Sequence, residues 1–410
     1  MFTRSFPLCV IPPPIALTIV CADIEQTHSF IDYSFVPTYI RIMKETMTSR
    51  ERWLAALRLQ PVDRLPFWPK LGGAYSQAQK PPFRGMTIPE LHTWIGSDPH
   101  VWIASGLREV RKSSSVEVAR KGAVSRTAYT CASGELELIQ HFDEPSQSWH
   151  PVRFPVRSRE DIGIMTRLME DVTVELDRDG LTKAKEQARR IGETAATAAT
   201  IGTTPLMQWV EMLAGVENAH YLLADYPAEV EALFAAINAL LKRHAELVIE
   251  NSPADTLYLV ENTSTTLISP DQYRRYCAPV VRECAGLARA ANRILILHMC
   301  GHLRALLPDL ARIGVHGFEA FTSPTLGDTT LLDGRTACPD TCLIGGTNAM
   351  LWTRPAPAIV AGIESALRAL PHHRGLVITS AGVMPPLCEP ETIRGVCRWV
   401  KEFPATMGPG

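Results

Sequence analysis

The chain has 410 residues, 46% of them hydrophobic, and its 41 Lys and Arg against 43 Asp and Glu leave a formal net charge of -2. That balance excludes the basic excess that phosphate backbones select, so nucleic acid is not an expected partner. No stretch reaches the roughly 18 uncharged apolar residues needed to cross a bilayer, and the hydrophobic content is enough for one large core.

The ten cysteines lack paired C-x-x-C spacing. Most read as small buried hydrophobes in a reducing cytoplasm rather than a disulfide framework or a zinc knuckle. Residues 1–46 hold a short apolar run at 18–22 behind the interrupting Pro12, Pro13 and Pro14. They are expected to be an N-terminal extension, disordered or translated from a mis-assigned start, with the domain proper at 47–410.

From Met47 the local chemistry becomes consistent. Thr48 and Glu51 form a capping box, Trp53, Leu54 and Leu57 make an apolar stripe, and Pro61 stops the helix. Residues 65–68 predict a buried strand feeding a loop at Gly72 and Gly73. Residues 75–175 mix turns with β-like pieces such as 135–139, as an insertion or an elaborated barrel rim would. After Pro227, Val230, Leu233, Phe234, Ile237, Leu240 and Leu241 follow the spacing of an amphipathic helix. Short apolar runs then recur at 256–260, 293–297, 317–321, 342–345 and 376–380, each followed by turn residues and a helical pattern. Strands alternating with helices predict an α/β fold with a parallel sheet, closed into a barrel or left open. No dinucleotide glycine fingerprint follows any of these strands, which removes the main support for the open form.

In a closed βα barrel the reactive groups lie where strands end and loops begin. His298 and Cys300 continue the run at 293–297. Residues i and i+2 of a strand share a face, so both side chains can enter the barrel mouth together. Imidazole and thiolate are zinc's preferred ligands, and Gly301 lets the chain turn at once. The same pair is also compatible with a hydrogen-bonded histidine beside a buried cysteine. Cys388, in the loop after the last strand, is the candidate third ligand. Cys342 begins its strand and Cys338 precedes it, at the opposite end of the barrel. Glu261 and Glu319 are candidate acid/base groups or partners that orient His298. Asn262 and Asn348 are candidate substrate hydrogen-bonders, and Trp68 and Tyr75 candidate pocket walls.

The segment Leu297-His298-Met299-Cys300-Gly301-His302-Leu303 resembles the H-x-C-G signature of the uroporphyrinogen decarboxylase superfamily. Asn262 with residues 267–270, the loop 323–328, the turn 345–348, and Pro385-Pro386 before a final helix resemble it as well. The resemblance runs over residues 48–403 and implies a single-domain (β/α)8 TIM-type barrel with an elaborated N-terminal half. True decarboxylases of this superfamily carry an Arg-Gln-Ala-Gly-Arg-Tyr loop, where this chain has Leu71-Gly72-Gly73-Ala74-Tyr75. They also carry a Gly-His-Gly, where this chain has Ser380-Ala381-Gly382. A polycarboxylate could hardly be held in a site that has lost its cations. The resemblance is therefore closer to the superfamily's zinc-dependent thiol methyltransferases. It implies zinc on His298, Cys300 and a later cysteine, a corrinoid as possible methyl carrier, a small thiol acceptor, a corrinoid protein as partner, and a possible homodimer. Those enzymes place the third ligand in a Gly-Cys after the last strand, and Cys388 lies several residues beyond the matching positions. A decarboxylase of uroporphyrinogen or a related acid, and a non-catalytic corrinoid-binding protein, are the alternative expectations.

Overall fold

The computed structural model describes residues 45–72, 75–144 and 148–407. Almost all of the segment expected as an extension, together with Gly73 and Ala74, lies outside the described residues. The first helix, α1 (Ser49–Leu57), starts at the expected capping box: Thr48 Oγ1 accepts from Glu51 N at 3.1 Å, and Glu51 accepts from Thr48 N at 2.8 Å.

The strands follow in chain order as β1 (Phe67–Trp68), β2 (His100–Trp102), β3 (Leu107–Arg111), β4 (Ser115–Lys121), β5 (Val124–Cys131), β6 (Gly134–Asp143), β7 (Ser148–Arg153), β8 (Val172–Leu176), β9 (Ala196–Gly202), β10 (Thr256–Val260), β11 (Ile294–His298), β12 (Gly317–Phe321), β13 (Cys342–Gly345) and β14 (Leu376–Thr379). Eight of them form one parallel sheet in the order β1-β14-β13-β12-β11-β10-β9-β2, a nearly closed TIM-type barrel. The five strands expected in the second half are all present, with β11 displaced by one residue so that it ends on His298 itself. The region expected as an insertion holds an antiparallel β3-β8 pair and a four-stranded antiparallel sheet, β4-β5-β6-β7.

Helices cover the outside. They include α2 (Ile88–Ile95), α3 (Arg159–Glu170), α4 (Arg178–Ile191) and the long helix Pro227–Asn251, which buries Val230, Leu233, Phe234, Ile237 and Leu241 as their spacing predicts. Among the described residues no helix is long and apolar enough to cross a membrane. The inside of the barrel is a second core, where Trp68, Ala198, Tyr258, Ile296, Ile344 and Val377 meet Trp53 and Leu57 of α1. Cys342 is buried in this layer, at the start of β13.

β1 and β2 end the sheet without pairing to each other, and Asp98 stitches them at one level. Its N–H donates to Phe67 O at 2.8 Å, and its carboxylate accepts from Phe67 N at 3.0 Å, Arg52 at 2.5 Å and Arg64 at 2.6 Å. Both arginines and Asp98 are buried. Removing one partner of a buried ion cluster leaves the others uncompensated, at a cost of about 3–5 kcal/mol. Asp98→Ala is therefore expected to lose about that much in denaturant unfolding. Asp63, beside Arg52, has a second signature. Burial alone would raise its carboxyl, but the Arg52 guanidinium and the N–H groups of Met47 and Thr46 hold it well below the usual carboxylate range. Its contribution is present above roughly pH 4 and lost as pH falls through the lowered folded value. Asp63→Asn should flatten the acid limb of the stability profile.

Candidate active site

β11 and β12 are parallel neighbours, and their register sets His298 directly beside Glu319. The His298 Nδ1–H donates to Glu319 Oε2, and Lys70 Nζ donates to Glu319 Oε1 at 2.8 Å. Glu319 is 2% exposed. Burial by itself would raise its pKa, but the charges of Lys70 and His298 outweigh that and bring it down to about 2. Burial would likewise lower His298, and Glu319, followed by the contact with Cys300, carries it up to about 9. Glu319 is thus held between Lys70 on one oxygen and His298 on the other.

Cys300 lies on the same side as His298, as the strand alternation predicts, and its thiol donates to Asn262 Oδ1 at 3.5 Å. Asn262 takes a left-handed conformation, φ 46°, uncommon for a residue other than glycine. Its Nδ2 donates to Glu211 at 2.9 Å, which fixes the amide so that its oxygen faces the thiol. Gly301 is needed for space, since a Cβ there would come within 2.6 Å of Ser264 Oγ.

The other expected site residues divide. Glu261 is buried, but it faces Thr204 rather than His298, accepting from Thr204 N at 2.6 Å and Oγ1 at 2.5 Å, and burial pushes its carboxyl up to about 7. Asn348 is committed to neighbouring loops: Nδ2 donates to Pro324 O at 2.7 Å, and Oδ1 accepts from Leu351 N at 3.0 Å. Trp68 packs edge-on against Trp53 and lies 5.6 Å beneath Lys70 Nζ. Tyr75 is buried, and its hydroxyl donates to the Cys388 carbonyl, pinning that loop.

Cys388 is buried and packs with the hydrophobic core, its thiol on the Glu389 carbonyl at 4.0 Å, and burial pushes it up to about 12. Among the described residues no three His, Cys, Asp or Glu side chains converge to hold a metal. His298 and Cys300 thus stand together and Cys388 apart. The pair itself suits zinc, because a ligating imidazole typically donates its second N–H to a carboxylate, as His298 does. The three-donor set with Cys388 is not assembled.

Sequence reading missed Lys70, Glu211, Thr204 and Trp102. Lys70 was within reach, since it follows Trp68 by two residues and so continues one strand face. Glu211 was not, because it rides on a π-turn at Trp209–Leu213 that no periodicity announces.

The model of the family described as uroporphyrinogen decarboxylase (URO-D) matches residues 153–403, more than half of the chain, and the chain belongs to that family. Methylcobamide:CoM methyltransferase MtaA of Methanosarcina barkeri is 27% identical over 123 residues, 28% of this chain and 33% of that protein. The match thus spans about a third of that relative's length. A methyltransferase from Methanosarcina mazei superposes with a TM-score of 0.56 at 16% identity, covering 88% of this chain and 100% of that one, which bears out the barrel fold.

Since both Glu261 oxygens rest on Thr204, removing that hydroxyl strands a buried carboxylate oxygen. Thr204→Val is expected to cost about 1–3 kcal/mol in chemical denaturation. Wild-type stability in that variant would show that Glu261 has another partner.

Proposed function

We propose that this chain transfers a methyl group to a small thiol at the open end of the barrel, from a methyl-corrinoid or a simpler methyl donor. The observation that carries the reading is the His298 and Cys300 pair on one strand face, with His298 fixed by Glu319, in a chain similar in part to a methylcobamide:CoM methyltransferase. Delivery of the methyl group by a corrinoid protein, and a homodimeric state, belong to the same reading.

The protein's own groups do three things. Glu319 holds His298 so that its other ring nitrogen is left for the reacting thiol or its ligand. Lys70 keeps Glu319 ionised, so that Glu319 can hold the His298 Nδ1–H and leave the other ring nitrogen as the one a metal would need. Asn262, locked by Glu211, keeps an acceptor on Cys300. His298 and Cys300 are the residues that would hold zinc, whose chemistry is to keep an incoming thiol ionised at neutral pH.

Elemental analysis of protein purified without chelators tests the ligand assignment. Cys300→Ser is expected to weaken zinc retention by tenfold or more, about 1.4 kcal/mol. Cys388→Ser should leave it unchanged, since that thiol is in the core. The opposite ranking would restore Cys388 as a ligand.

The family's name does not extend to the activity. A substrate with many carboxylates would meet the single cation Lys70, with no arginine between Leu71 and Tyr75. No useful turnover of uroporphyrinogen is expected, and coproporphyrinogen forming at an enzyme-like rate in an anaerobic assay would overturn that expectation.

A further inference from the structure

The barrel is stitched at Asp98 but not sealed. Over the boundary between β1 and β2, helices α2 and α4 leave a groove of about 1010 Å³. Its walls include Trp68 and Lys70 from β1 and its extension, His100 and Trp102 from β2, and Val383 from the loop after β14. These pairs are two residues apart, so each shares one strand face. That face is the inner one, since Trp68 belongs to the interior core and the Trp102 ring lies 4.8 Å from that of Tyr258. The groove therefore opens through the seam onto the barrel interior, at the level of the site. Lys70 joins the two, lining the groove while its Nζ bonds Glu319.

The lining defines the ligand. Arg52 and Arg64 are spent on Asp98, Asp63 and Glu45, and Lys401 on Glu45 at 3.0 Å. Lys70 uses one of an ammonium's three donors on Glu319. Trp102 is 47% exposed, an aromatic surface with apolar Val101, Leu71 and Val383 around it. The two carboxylates of the lining, Glu45 and Glu193, are paired with Arg64 and Arg50. A concave, mostly apolar site with a few placed polar groups is the usual form of a small-molecule pocket.

We propose that this seam is a lateral binding site for a small molecule with one anionic group and an apolar body, the anion at Lys70 and the body against Trp68 and Trp102. It deepens the methyl-transfer reading, because it gives a small acceptor an entrance separate from the mouth, which a macromolecular methyl donor would cover. The test is binding alone and needs no turnover.

The probe is 8-anilinonaphthalene-1-sulfonate, an apolar aromatic anion, titrated into the full chain with tryptophan excitation. One saturable site with energy transfer from tryptophan is expected. Val383→Glu, which places a like charge at the groove rim, and Lys70→Met, which removes the cation, should each raise the Kd by tenfold or more. Leu326→Glu, on an exposed loop after β12, should leave it unchanged. Circular dichroism reports whether Lys70→Met folds, and Val383→Glu decides alone if it does not. Non-saturating emission, or equal affinity in Val383→Glu and wild type, would overturn the proposal. Dye binding as expected in a chain without methyl transfer would leave the seam site standing and remove the reaction, whereas the converse would remove the seam site alone.

Discussion

A carboxylate buried at the end of a barrel has to be neutralised where it stands, and Glu319 is neutralised from two directions. Desolvation of an unpaired carboxylate would cost several kcal/mol, so the ends of β1, β11 and β12 must stay within hydrogen-bond reach of one another. Lys70 comes from the strand that ends the sheet and His298 from the strand next to Glu319. The bonds to Glu319 therefore tie the wall of the barrel to its terminal strand. They also set the ring of His298, and with it the place of Cys300 two residues on.

At the other level of the barrel Asp98 plays the corresponding structural part, with Arg52 and Arg64 drawn onto a carboxylate that also caps the β1 backbone. Between the two charged levels the interior is mostly apolar, with Tyr258, Ile296 and Ile344 packed on Trp53 and the buried His100 bonded to Tyr258 and Thr256. Such layering leaves the reactive groups on the upper level, above a filled core, as expected of a barrel in which side chains and not a channel occupy the centre.

Much of this was legible in residue order. The β-strands at 256–260, 317–321 and 342–345 announced themselves as short apolar runs between turn residues, and alternation alone put His298 and Cys300 on one face. β9 escaped because its Ala-Thr-Ala-Ala-Thr sequence carries little hydrophobicity, although its small side chains are what the crowded barrel interior admits. Cys388 was placed by loop membership, which says which end of the barrel a residue occupies and not which way its side chain turns. Tyr75 and Gln79 pin the backbone of that loop, and Cys388 packs with the core. Lys70 was missed although the rule that found Cys300 would also have found it.

The family's fold supports more than one chemistry, so the activity has to be argued from the groups in the mouth. Those groups are Lys70 and His298 on Glu319, beside the Cys300 thiol and the Asn262–Glu211 pair, with Glu261 hydrogen-bonded to Thr204. The most direct measurement is methyl transfer from methylcob(III)alamin to a thiol by the full chain, under anaerobic conditions, compared with His298→Ala. The account predicts a thioether product in the wild type and a fall of about a hundredfold or more in kcat/KM in the variant, about 2.7 kcal/mol of transition-state stabilisation. A variant that folds and turns over like the wild type would contradict it.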